Sequence, residues 1–489
     1  MWSAPQSTRR LPATAIWFLI VPLSTGAFIG LASRTMLAIV GATVGLSLVA
    51  LVSALKPRAA VAFVFAASML GGLTFRTSVG VLRIDQAVVL PALCGVMARW
   101  VADRGNTRPT GRYSAWPLSI SLALYILANL LSSLLVAVNV ASSLRVVLWL
   151  SLSFAAYVMT IIIARRYCSI RVLLNDIVLI GTAASAAAIV LYGLALLGWS
   201  SFGVQSDSMS PQLAAKGTFY EANLLGSFAA MTTILAISQL VHAAGDSNRR
   251  RALVYVATGL SVTAAYLSLT RAAWLGLAAG ATVVLLFARP ASGRTRIIAR
   301  TILVLTACGL VMLVTGAGWP LLDRLASLLN DSTGTIAYRT AEYAQAMSLI
   351  PQHFWIGLGT DSFGQRFVDP TQDYGRAYLG GLLVATLWDV GIVGFGLLLA
   401  SFGILVSSLW RASTAADRVV RAQVVGLAGA FTCVLIAYQA TNGFWFSYNW
   451  VLMGLAVSVP VAEAARPLGP NAARVVGSAM PTGRGRVAH

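Results

Sequence analysis

Two arginines, Arg271 and Arg339, stand where this chain has least reason to carry a cation, and a planar guanidinium is well suited to gripping phosphate oxygens in pairs. Ser268-Leu-Thr-Arg271 joins two apolar runs with almost no loop, so Arg271 is pinned at a helix junction. It reads either as an anchor on lipid headgroups or as a ligand for a diphosphate. Arg339 lies in Ile336–Ile350, which has helical periodicity. Ile336, Tyr343, Met347 and Ile350 share one stripe, and Arg339 borders it. A guanidinium beside a buried face needs a partner, either Glu342 one turn on or an anionic ligand. The helix is expected to stop at Pro351. His353 and the turn residues Gly357 and Gly359 follow, and glycine there permits close backbone approach.

A second stretch, Lys216-Gly-Thr-Phe-Tyr-Glu-Ala-Asn223, combines a point charge with two polar groups at a helix start. Lys216 suits a phosphate. Glu221 and Asn223 read as caps, or Glu221 as a general base whose pKa rises beside hydrocarbon. Asp389 interrupts an apolar run, and an acid there pairs with a cation or serves a site. His353 reads as a surface residue or as a base. Arg145 and Arg376 join the cations on the disfavoured side of the membrane, with Arg76, Arg324 and Arg366. Arg34 and Arg83, also on that side, read as side chains reaching toward headgroups. Tyr448, Asn449 and Trp450 read as an interfacial aromatic belt.

The elements that must hold these residues follow from composition. The 489 residues are 58% hydrophobic and only 10% charged, with a mean hydropathy of +0.80. A soluble domain carries about 25% charged residues. The fold class is therefore all-α polytopic membrane protein, with about 12–14 transmembrane helices when windows near 20 residues are read along the chain. The net charge of +20 belongs to arginine-rich cytoplasmic segments rather than to nucleic-acid binding. Only Lys56 and Lys216 are lysines. Most basic residues fall on one side when the N terminus is placed inside.

That orientation gives residues 1–12 as a cytoplasmic N-terminus and 13–464 as the transmembrane region. Residues 465–489 form a basic, disordered cytoplasmic tail. The first span resembles a signal anchor. Extracytoplasmic loops fall at about 200–221 and 320–378, the latter containing short helices and too long to be a mere connector. The 380–410 run is too long for one simple crossing, so its first part is expected in the interface. The protein is expected in the inner or plasma membrane, among membrane lipids. The cysteines, Cys94, Cys168, Cys308 and Cys433, have no metal-ligand spacing, and no metal or cofactor is expected. No Walker A motif or serine elbow is present.

Four stretches together carry a resemblance: GTFYEAN at 217–223, SLTR at 268–271, YRTAEYAQAMSLIPQHFWIGLGTDSF at 338–363, and LWDVGIVG at 387–394. Their kind and order resemble the O-antigen ligase and polymerase superfamily over roughly residues 200–410. The resemblance implies a membrane glycosyltransferase of the GT-C type. Its donor would be an undecaprenyl-diphosphate-linked oligosaccharide on the outer face, its acceptor a glycan or lipid. It assigns Arg271 and Arg339 to the diphosphate. Ligases of the family carry a histidine where this chain has Gly380, which favours a polymerase or another surface-glycan transferase.

The expected reaction is direct displacement: an acceptor hydroxyl attacks the anomeric carbon and lipid diphosphate leaves, its charge stabilised by arginines. Glu221 and His353 are the candidate bases. Substrate binding would fall to Lys216, Asn223, Arg145, Arg376 and Asp389. The competing class is a lipid-linked glycan transporter, flippase or exporter, which should carry inverted repeats and interrupted helices.

Overall fold

Within hydrocarbon every backbone N–H and C=O must be paired inside the protein, which leaves helices as the solution for the apolar runs of this chain. The computed structural model describes residues 34–72, 74–77, 80–103, 115–207, 210–242, 248–287, 335–367, 378–415 and 418–464. The chain forms α1 (Arg34–Leu55), α2 (Pro57–Met69), a hairpin of β1 (Thr74–Thr77) and β2 (Gly80–Arg83), α3 (Ile84–Ala102), α4 (Trp116–Leu135), α5 (Val140–Arg166) and α6 (Ile170–Leu196). A second hairpin, β3 (Val204–Asp207) and β4 (Ser210–Ala215), leads to α7 (Ala222–His242), α8 (Asn248–Leu267) and α9 (Arg271–Phe287). Then come α10 (Thr335–Leu349), a 3-10 turn (Ile350–His353), α11 (Phe363–Arg366), α12 (Leu382–Ala415), α13 (Arg418–Ala437) and α14 (Ser447–Ala464).

Among the described residues, 7 helices are long and apolar enough to cross a membrane. The centre of the bundle is α7 and α14. The apolar window of α7 is 89% buried, and Tyr448, Trp450 and Leu455 of α14 have no exposed surface. A helix that is apolar all round belongs in such a place. The bundle has two distinct ends. Arg58, Arg99, Arg165, Arg166, Arg249, Arg250, Arg251, Arg411 and Arg421 cluster at one. The other end gathers the starts of α3, α5, α7, α9, α12 and α14, and both hairpins.

The long helix α12 is two arms. Gly391 has φ 61° and ψ −165°, a conformation reserved for glycine, and it breaks the helix. The first arm starts at the end of α13, where Leu382 N–H donates to Tyr438 O at 2.8 Å. It reaches the end of α4, where Ser132 Oγ donates to Asp389 O at 2.6 Å. The second arm then runs antiparallel to α4, with Ser121 Oγ donating to Leu397 O at 3.0 Å. The first arm thus crosses the bundle mouth before the chain turns inward, as the excess length of the apolar run predicts.

A break of this kind frees backbone groups, and the turn after α10 takes them up. Ile392 N–H donates to Phe354 O at 2.8 Å, Leu358 N–H to Trp388 O at 2.7 Å, and Gly359 N–H to Asp389 O at 3.2 Å. The approach requires glycines. A Cβ on Gly357 would stand 2.5 Å from Asp389 C and Val390 N. One on Gly391 would stand 2.6 Å from Gly357 N.

Several expectations need correction. The apolar run at 59–75 is not one span: the helix ends at Met69 and a β-hairpin follows, registered Thr74 to Arg83. Arg83 does not reach for headgroups. It is 7% exposed, pairs with the fully buried Asp85 at 3.1 Å, and lies 3.5 Å from the Phe446 ring centroid. Tyr448, Asn449 and Trp450 are no belt, being buried in the core. On α10, Met347 is 53% exposed, and the buried stripe is Glu342, Ala346 and Ile350. The spans read at 13–32 and 302–319, the terminal segments, Arg324, Arg376 and Cys308 lie outside the described residues.

Candidate functional site

The two glycines at 380 and 381 are where the site closes. Residues 378–381 lead into the first arm of α12 and lie against both α10 and the turn between α13 and α14. Tyr378 hydroxyl donates to Asn442 O at 2.5 Å, and its ring meets Trp445 edge-on at 6.2 Å. Tyr343 hydroxyl, from α10, donates to Gln439 O at 3.1 Å. The 438–443 turn is therefore the floor under both α10 and residue 380. A Cβ on Gly381 would stand 2.5 Å from the Tyr343 hydroxyl. A Cβ on Gly380 would overlap Arg339 Nη1 outright, with Ala440 O 3.0 Å away. The guanidinium of Arg339 thus lies on the backbone of residue 380, and a side chain there would have to push it aside.

Glu221 faces this group. It immediately precedes α7, and its carbonyl accepts from Leu224 N–H at 3.2 Å. The cap of Ala222 N–H comes from Gln205 Oε1 at 3.1 Å, so the Glu221 carboxyl is not spent on capping that N–H. Burial pushes the Glu221 pKa above the ordinary glutamate value, and the charge of Arg339 pulls it partly back. The two side chains therefore act on each other electrostatically. Tyr378 is coupled to both: burial raises its pKa well above the ordinary value, Glu221 and then Asp361 add to the rise, and Arg339 opposes it.

Arg271 is the first residue of α9 and is half-buried. The turn before it is strained at Leu269, φ 51°, and tied to α7 by Thr270 Oγ1 donating to Asn223 Oδ1 at 3.2 Å. That bond sets the start of α9 beside the start of α7, two residues from Glu221. The positive ends of two helix dipoles then lie at one end of the bundle, next to Arg271, which favours an anion. Lys216 is half-buried at the end of the β3–β4 hairpin, its N–H bonded to Gly203 O at 2.9 Å. The Gly-Thr-Phe that follows is structural: Thr218 Oγ1 donates to Met69 O at 2.7 Å, and Phe219 is 2% exposed against Phe228.

Other candidates lie apart. His353 ends the 3-10 turn, about 20 Å along the chain axis from Arg339 at the rise per residue of these helices. Asp389 is occupied in the turn, where its Oδ1 accepts Asp361 N–H at 2.9 Å. Arg145 is half-buried on α5 with its Nε buried and without a hydrogen bond among the described residues. No group of acids, histidines and cysteines suited to a metal ion occurs among the described residues. The sequence reading missed Tyr378 and Asp361. The left-handed Asp361, φ 54°, could have been suspected only from its place after two turn glycines.

Residues 256–399 match the family model for the O-antigen ligase domain. The match holds Arg271, Arg339, His353, Asp361, Gly380 and Asp389, and leaves Lys216, Glu221 and Asn223 upstream. No curated protein matches the chain. The helical bundle makes this chain a multi-pass membrane protein, and its residues 256–399 are similar to the O-antigen ligase domain.

Proposed function

We propose that the protein is a glycosyltransferase that polymerises a surface glycan. It takes the growing or incoming unit from an undecaprenyl-diphosphate carrier on the extracytoplasmic side of the inner membrane. The family acts on lipid-linked glycans, which supports an enzyme with such a donor. The observation that carries the finer reading is the packing of Arg339 on Gly380. The ligase histidine belongs at residue 380 by resemblance, and here the Arg339 guanidinium takes up the space beside that glycine. Glu221 is the base this site can offer instead, under the electrostatic influence of the same guanidinium.

In this reading Arg271, Arg339, Lys216 and the starts of α7 and α9 hold the diphosphate. Glu221 accepts the proton of the acceptor hydroxyl as the glycosidic bond forms. The anomeric carbon–oxygen bond to the diphosphate breaks, and the released charge settles on the arginines. Holding two tethered substrates together supplies much of the rate. The arginine-rich end of the bundle supports placing the site outside. The test is the glycan profile of a deletion strain. Polymerase loss leaves single repeat units still attached to their acceptor. Loss of attachment with long chains accumulating on the carrier would instead assign the chain to ligation.

A further inference from the structure

The turn that takes up the α12 break carries three consecutive apolar residues, Phe354, Trp355 and Ile356, and all three are exposed, Trp355 by 69%. Its main chain is spent on α12. Phe354 O accepts from Ile392 N–H at 2.8 Å and Trp355 O from Val393 N–H at 3.4 Å, which ties the turn to the first residues of the second arm. Gly357, next in line, is packed so closely that a Cβ would stand 2.5 Å from Val390 N. The Phe354 and Trp355 rings meet edge-on at 5.5 Å, and both stay exposed.

The depth of this turn follows from α12. Between Gly391 and Arg411 the second arm rises about 30 Å at about 1.5 Å per residue, and bilayer hydrocarbon is about 30 Å thick. Arg411 lies at the arginine-rich end, so the break stands where the hydrocarbon ends on the opposite side. Along that length the second arm exposes Val393, Leu399 and Val406, a surface for lipid chains, and Trp410 is exposed at its inner end. Tryptophan favours both boundaries of a bilayer. Trp355 stands at the outer boundary as Trp410 stands at the inner one. An exposed apolar cluster continuous with a lipid-covered surface belongs to that surface.

We propose that Phe354, Trp355 and Ile356 are an interfacial foot set into the outer leaflet, with phospholipid as its partner, and that the foot sets the level of α10. That helix is then held at both ends. Towards its start Arg339 lies on Gly380 and the Tyr343 hydroxyl donates to Gln439 O; beyond its far end the 3-10 turn leads directly into the foot. Lipid contact thereby keeps the helix that carries Arg339 at headgroup level, where the diphosphate of a membrane carrier lies. The lipid contact stands without the glycosyl-transfer reading; its effect on turnover rests on that reading.

The test uses the full chain with the photoreactive residue p-benzoylphenylalanine at Trp355 or, in a second protein, at Gln345, which is exposed on α10. Irradiated in nanodiscs of phosphatidylethanolamine and phosphatidylglycerol, the Trp355 position should gain phospholipid mass about tenfold more often than the Gln345 position, as a residue at the lipid boundary should. In turnover with the undecaprenyl-diphosphate-linked oligosaccharide, Trp355→Tyr keeps an interfacial ring and should keep the wild-type rate. Trp355→Glu places a charge at the boundary and should lower the rate several-fold at an unchanged melting temperature. Ile356→Ser, a smaller change, repeats the turnover measurement if Trp355→Glu melts early. Equal phospholipid adducts at the two positions, or adducts only to a second copy of the chain, would overturn the foot. A wild-type rate in Trp355→Glu would overturn its hold on α10. A wild-type chain without turnover would sink the transferase reading, while the adducts would still decide the foot.

Discussion

The guanidinium of Arg339 rests on the α-carbon of Gly380, so a side chain at 380 would displace it from its present position. This contact links α10 to the backbone entering α12. It also fixes where one of the site's guanidiniums points.

Enlarging residue 380 tests that contact. Gly380→His should not create a ligase. It should displace Arg339 and lower product formation as far as Arg339→Ala does, with a stability loss of about 1–3 kcal/mol from overpacking. Product assays with both single variants and the pair decide it: because both act on one guanidinium, the pair should be no worse than either. Independent, multiplying losses would separate residue 380 from Arg339.

The acid limb of the pH profile should belong to Glu221. Its folded pKa is raised, so it must lose a proton to serve as a base, and activity rises with pH through a midpoint above the ordinary glutamate value. Arg339 lowers that pKa, so Arg339→Gln should move the midpoint further up, in addition to lowering the rate. Glu221→Gln should lose about 10²–10⁴-fold and flatten the limb. His353→Ala should leave the limb in place, because His353 ends the 3-10 turn, beyond the far end of α10 from Arg339. A limb that vanishes in His353→Ala would return the base to histidine.

Much of this arrangement was legible in the sequence, and the limits have physical causes. Spans, the two arginines and the glycine turn were readable because apolar runs and helix periods are local properties. The excess length of the 380–410 run pointed to an interfacial arm, and the Gly391 break supplies its geometry. Arg83 was misread because nothing in the local sequence shows that Phe446, far along the chain, supplies a ring for it. Met347 was misread because the helix turns its Glu342 face inward, against apolar expectation. Tyr378 escaped notice because its partners, Glu221, Arg339 and Asn442, come from three distant segments.

The Arg83–Asp85 pair should be structural. Asp85 is fully buried, so Arg83→Ala leaves its charge unpaired and should cost about 3–5 kcal/mol. Replacing both residues by apolar side chains of similar volume should recover most of that loss. Thermal unfolding in detergent reads both. Equal destabilisation by the single and the double change would mean that packing on Phe446, not charge, is what Arg83 contributes.

Arg271 should need its fork as well as its charge. Arg271→Ala should abolish product at normal protein level, and Arg271→Lys should rescue little, because an ammonium cannot bond two oxygens in a plane. Full activity in Arg271→Ala would make it a headgroup anchor.

The side of the membrane is checked on α10, whose Gln345 is exposed. A cysteine at Gln345 should react with an impermeant thiol reagent in intact spheroplasts, because the arginine-rich end is expected inside. Labelling only after the membrane is opened would invert the topology.

The central claim is transfer between carrier-linked glycans at the Arg339–Glu221 site. Its most direct measurement uses purified protein in liposomes with the undecaprenyl-diphosphate-linked oligosaccharide as the only glycan substrate. The wild type should produce a ladder of lengthened chains with one undecaprenyl diphosphate released per bond formed, and Arg339→Ala should produce none. Oligosaccharide that crosses the bilayer unaltered, or that is transferred only when a separate lipid acceptor without a diphosphate is added, would contradict the polymerase.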